Sequence, residues 1–185
     1  MNSEFEDYLD EDNHKKFEDF LDEGNSHATK KDFKQSIESF TKAIDIDPYN
    51  TSAFFNRGEA KRLLANFTGA INDYSKAINN TPNFALAFFR RGCSKEKLND
   101  INGAIEDYSK AIEINPKCET TYINRGLTKY ELNFVDDAID DFTKAIEINP
   151  TNYFSYLKRG MAKYRLGNLE GSKQDIEIYD KKRCL

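Results

Sequence analysis

At 185 residues the chain is long enough for one domain with a core of its own. Its net charge is -5 and charged residues make up 32%, which argues against a nucleic-acid binder with a basic face, and no apolar run is long enough to span a bilayer. Residues 1–16, MNSEFEDYLDEDNHKK, are acidic and lack the apolar stretch of a signal peptide, so the expected setting is the cytoplasm and the expected structure a tail or an extra helix packed on the first folded unit.

From Phe17 onward the chain repeats itself. SIESFTKAIDIDP (Ser36 to Pro48) returns as AINDYSKAINNTP from Ala70, AIEDYSKAIEINP from Ala104 and AIDDFTKAIEINP from Ala138, each a 34-residue step on. FFNRGEAKRL from Phe54 returns at Phe88, Tyr122 and Tyr156. The repeats are 17–50, 51–84, 85–118 and 119–152, followed by a helix pair at 153–182 and a short tail, 183–185.

Each repeat reads as two helices. Ala104, Ile105, Tyr108, Ala111 and Ile112 form one apolar stripe at helical spacing. Pro116 cannot continue that helix and pushes Asn115 out of the helical region. Gly24, Gly58, Gly92, Gly126 and Gly160 recur in mid-helix, where glycine costs about 1 kcal/mol against alanine. That cost makes sense where a neighbouring helix packs against the missing side chain. In the last pair Ser172 and Tyr179 replace alanines and no proline follows, so its second helix, about Asn168 to Lys182, is expected to be a solvent-facing cap.

A second periodicity is electrostatic. Arg57, Arg91, Arg125 and Arg159 hold one place, and Asp73, Asp107, Asp141 and Asp175 another; the first repeat has Glu23 and Ser39 instead. The repeat without the arginine is the one without the aspartate. This predicts a ladder of semi-buried ion pairs with a structural role.

An aromatic residue, a glycine four places on, then alanine, aromatic, alanine and proline resembles the tetratricopeptide repeat, over roughly nine-tenths of the chain. The resemblance implies an all-α solenoid of about four and a half 34-residue repeats in a right-handed superhelix. It implies a concave groove, lined by the first helix of each repeat, that takes a peptide or helix of a partner protein. Carried onto this chain, the groove holds an apolar ladder, Leu21, Phe55, Phe89, Ile123 and Leu157, beside polar residues Asn25, Asn56, Arg90, Asn124 and Lys158. The alternative for the ladder is packing between neighbouring helices.

Some members of this family clamp the C-terminal carboxylates of chaperones with Lys, Asn, Asn, Lys and Arg. Asn25, Asn56 and Arg90 match three of those places, but Leu21 and Leu86 stand where the lysines belong. No catalytic, metal or cofactor site is expected. The carboxylates of DDAIDD (Asp136 to Asp141) spread over a solvated arc, and DIDPYN from Asp45 lacks the glycine and final glutamate of a calcium loop. His14 and His27 have no nucleophile beside them, and Cys93, Cys118 and Cys184 form no CxxC pair. The sequence thus points to a non-catalytic, monomeric adaptor, with a co-chaperone and a self-assembling solenoid as alternatives.

Overall fold

The computed structural model describes residues 11–183. The first ten residues and the last two, with Cys184, lie outside the described residues. Ten helices and no strand are present among those described: α1 (Glu11–Thr29), α2 (Phe33–Ile46), α3 (Thr51–Leu63), α4 (Phe67–Asn80), α5 (Ala85–Lys97), α6 (Ile101–Ile114), α7 (Glu119–Glu131), α8 (Val135–Ile148), α9 (Tyr153–Arg165) and α10 (Leu169–Arg183). The fold class is the all-α solenoid. Residues 11–16, grouped by sequence with the acidic tail, are the first turns of α1. Glu11 and Asp12 sit there, where carboxylates suit the positive end of the helix dipole.

Two local rules set the helix boundaries. Asp47, Thr81, Asn115 and Asn149 each precede a proline and leave the helix in or near the extended region, with ψ between 85° and 91°. Within a pair, the turn is made by one residue of left-handed backbone: Lys31, Ala65, Asn99, Asn133 and Gly167, with φ between 59° and 79°. At Ala65 the two backbone bonds of a Schellman ending are in place, Asn66 N to Lys61 O and Ala65 N to Arg62 O, both 2.9 Å. The next residue often caps the second helix. Asn66 Oδ1 accepts from Gly69 N at 3.0 Å, and Asp100 Oδ1 from Gly103 N at 3.1 Å.

The chain divides into two compact bodies, one ending at Asn99 and the other starting at Asp100. In the N-terminal body each helix from α1 to α5 packs on the next, around Phe17, Ala43, Ile44, Ala53, Phe54 and Ala77. In the C-terminal body each helix from α6 to α10 packs on the next, with Val135, Ala138, Phe142 and Ala162 at the centre. The recurring glycines lie where the paired helices touch. A Cβ on Gly58 would stand 2.8 Å from the Tyr74 ring, and one on Gly126 2.9 Å from the Phe142 ring. Contacts that close explain why a residue poor in helix propensity recurs at this place.

Candidate functional site

The arginines of the second periodicity are nearly withdrawn from solvent. Arg57 Nε and Nη2 donate to Asp73 Oδ2 and Oδ1 at 2.9 and 2.8 Å. Its Nη1 donates to Thr41 Oγ1 at 3.1 Å, and the guanidinium lies 5.5 Å from the Phe54 ring centre. One side chain therefore ties α3 to its partner α4 and to the preceding α2. Arg125 repeats the arrangement with Asp141 (3.0 and 2.6 Å) and Ser109 (3.0 Å). Arg159 repeats it with Asp175 (2.9 and 2.7 Å) and Thr143 (3.3 Å). Arg91 donates to Ser75 Oγ at 3.0 Å, and Asp107 is 2% exposed. In the first repeat the polarity reverses, with Ser39 Oγ donating to Glu23 Oε2 at 3.1 Å.

A lysine one turn on completes each centre. Lys61, Lys129 and Lys163 stand 2.7, 3.0 and 2.8 Å from the aspartate. Burial opposes ionisation of Asp175, but hydrogen bonds from Arg159 and Lys163, reinforced by their charges, outweigh it and hold the carboxyl below its ordinary range. The hydrogen bond to Asp175 raises the Arg159 guanidinium in turn. These groups satisfy one another; their chemistry is that of helix staples.

The first-helix face of the N-terminal body is also largely satisfied from within. Leu21 and Phe55 are half-buried against the core, and the Phe55 ring lies 4.8 Å from Phe84 and 5.7 Å from Tyr74. Asn56 Nδ2 donates to Asn25 Oδ1 at 3.2 Å, joining α3 to α1. Phe89 is half-buried. Arg90 lies 5.6 Å from the Phe89 ring, with Nε 3.3 Å from Glu59 Oε2 but not aligned for a hydrogen bond. Glu59, which the sequence did not single out, is the hub. It accepts two hydrogen bonds from Arg62, both 3.1 Å, and a short one from the Tyr74 hydroxyl. Burial and this carboxylate together push the Tyr74 hydroxyl far above its ordinary pKa.

The C-terminal body differs. Ile123 is buried, 8% exposed, so its place in the apolar ladder lies in the core. Leu157 is half-buried. The side-chain amide of Asn124 and the ammonium of Lys158 have no hydrogen-bond or ion-pair partner among the described residues; Lys158 only lies 4.9 Å from the Phe154 ring. Helices α7, α9 and α10 of this body enclose a pocket of about 290 Å³ lined by Tyr130, Met161, Tyr164, Ser172 and Ile176. Its residues went unmarked in the sequence because their exposure depends on how α9 seats on its neighbours.

Tetratricopeptide repeat profiles match residues 20–50, 85–118 and 119–152, together more than half of the chain. The chain belongs to the tetratricopeptide repeat family. Among curated proteins no sequence matches significantly. Solved structures with the same fold include a MamA protein, at TM-score 0.87 and 22% identity over 91% of this chain and 92% of that one. YrrB, described as a tetratricopeptide repeat protein with an unusual peptide-binding site, gives TM-score 0.78 at 16% identity over 88% and 84%. PilF of Pseudomonas aeruginosa gives 0.77 at 16% identity over 93% and 78%. As a tetratricopeptide repeat chain it is of a fold used for protein interaction. Among the described residues no cluster of three or more His, Cys, Asp or Glu could hold a metal ion, and no helix is long and apolar enough to cross a membrane.

Proposed function

We propose that the protein is a non-catalytic scaffold that takes an extended segment or helix of a partner protein on its first-helix faces, as a monomer in the cytoplasm. The observation that carries this reading is the contrast between the helix staples and the C-terminal first-helix face. Arginines and aspartates at the staples satisfy each other, while Asn124 and Lys158 keep polar groups unpaired beside half-exposed apolar side chains. Unpaired polar groups next to apolar surface are what an interface uses to fix orientation and gain affinity. YrrB, whose description names a peptide-binding site, has the same fold, which is consistent with the reading.

The chaperone-tail alternative is weaker. Asn25 and Asn56 bond each other, and Arg90 stands beside Glu59, so the matching residues already have partners. The two lysine places hold Leu21 and Leu86. The test is a peptide-display selection against the full chain, followed by Phe89→Ala. The reading expects weaker binding of selected peptides with little change in melting temperature. A large loss of stability with binding intact would make Phe89 a packing residue only. Light scattering that finds a concentration-dependent oligomer would favour the self-assembling solenoid.

A further inference from the structure

Helix α9, YFSYLKRGMAKYR, carries four cations and no carboxylate. Two of the four are committed to Asp175: Arg159 by a bidentate pair and Lys163 at 2.8 Å. The other two, Lys158 and Arg165, have no carboxylate within ion-pair distance among the described residues. Arg165 is exposed, donates through Nη1 to the Tyr130 carbonyl at 3.1 Å and lies 4.9 Å from that ring. It is fixed in place, with the rest of its guanidinium open.

The helical spacing puts these two cations on one face with the apolar residues of α9. Positions 154, 158, 161 and 165 form one stripe, with 153, 157 and 164 along its edge. Ala162 is buried against α8 on one flank of this stripe and Gly160 against α10 on the other. The outward stripe therefore sets exposed apolar side chains between two cations, where a surface helix is normally polar throughout. Tyr153, Phe154, Met161 and Tyr164 are 45, 38, 42 and 67% exposed. Met161 and Tyr164 also line the pocket with Tyr130 and Ile176. A clustered apolar patch of this kind marks an interaction surface.

We propose, building on the scaffold reading above, that this face of α9 and its pocket receive an acidic partner segment with one large apolar side chain. The side chain enters the pocket, and flanking carboxylates meet Lys158 and Arg165. Charge decides for a peptide over an anionic bilayer. The protein carries -5 overall, and Asp136, Asp137 and Asp140 are exposed on α8, which packs directly on α9. An extended anionic surface is repelled by this wider field of negative charge, whereas a narrow segment faces mainly the cationic stripe.

The test is fluorescence anisotropy of the full chain with short fluorescein-labelled peptides. The probes are an Asp/Glu peptide with one central Phe, the same peptide with Ala in its place, and a Ser/Gly peptide with the Phe. The acidic Phe peptide should bind best and weaken as salt rises. Lys158→Glu with Arg165→Glu should weaken it about tenfold, as expected for two modest ion pairs lost together. Met161→Ala should weaken the Phe peptide while leaving the already weaker Ala peptide unchanged. Lys76→Glu, an exposed change on α4, should leave binding and melting as they were. The inference is overturned if the charge reversal leaves binding unchanged, or if the Ser/Gly peptide binds as well. It is also overturned if phosphatidylserine vesicles bind in place of the peptides, or if light scattering finds a dimer that the reversal dissolves. Acidic peptides that fail while display-selected peptides of other composition bind the first helices would sink this inference and spare the scaffold reading. A selection that yields no binder would sink both.

Discussion

Asp141→Asn is the sharpest probe of the helix staples. The Asp141 carboxylate is 3% exposed, accepts two hydrogen bonds from Arg125 and faces Lys129 at 3.0 Å. Asparagine keeps the shape and removes the charge, leaving two cations with side chains only 17% exposed and no carboxylate between them. Breaking a buried pair on one side costs about 3–5 kcal/mol. Both cations can swing partly toward water here, so a loss of about 2–3 kcal/mol is expected. In a chain of this size that lowers the melting temperature by about 5–10 °C. The control is on the same helix. Lys144 and Glu147 pair at 2.7 Å with side chains 57% and 55% exposed, and Lys144→Gln should leave the unfolding midpoint where it is. Thermal and urea unfolding by circular dichroism would compare the two. Equal shifts would refute the claim that the staples bear on stacking. The triple change Arg125→Met and Lys129→Met with Asp141→Leu should recover most of the loss, because it leaves no buried charge unpaired.

Ala65→Gly should raise stability by about 0.5–1 kcal/mol, since Ala65 holds φ 59° and glycine accepts that backbone freely; a lower melting temperature would count against the strain. Gly126→Ala should cost about 1–3 kcal/mol in a urea titration, because the new Cβ would meet Phe142 at 2.9 Å and Asp141 at 3.1 Å, and a neutral result would mean that the ring moves aside easily. The pH dependence follows from Asp175, whose folded pKa is depressed. Its contribution is complete above the ordinary carboxylate range, about pH 4, and is lost as the pH falls below it through the folded value. Asp175→Asn should therefore flatten the acid limb of the stability curve, and an unchanged acid limb would remove the staple from the account. Deleting residues 168–185 removes α10 and Asp175 together, uncovers the Gly160 side of α9 and should cause aggregation or early melting; a stable monomer would show that α10 is not a cap.

The sequence made the fold legible because the residues that build it recur at one period. Proline after Asn115 and Asn149 ends helices by steric exclusion, and glycine at Gly58 and Gly126 marks the closest approach of two helices. Arginine and aspartate varied together in one chain, which pointed to carboxylate contacts before any coordinate. The lysines at Lys61, Lys129 and Lys163 share that period and could have been read with them. The left-handed turns at Lys31 and Ala65 were silent, since neither residue type advertises a positive φ. The first-helix face was the least legible part. Periodicity assigns Ile123 and Leu157 the same place, yet one is buried and the other half-exposed. Likewise Glu59 engages Tyr74 and Arg90 only because α3, α4 and α5 bring them together. Exposure and pairing at such positions are set by neighbouring helices, which a repeat pattern treats as equal.

The central claim is that first-helix faces receive the partner, and amide chemical-shift mapping of the full chain with a display-selected peptide tests it most directly. The account predicts shifts and line broadening on α3, α5, α7 and α9, around Asn56, Arg90, Asn124 and Lys158. Perturbations concentrated on the second helices, around Lys42, Lys76, Lys110 and Lys144, would contradict it.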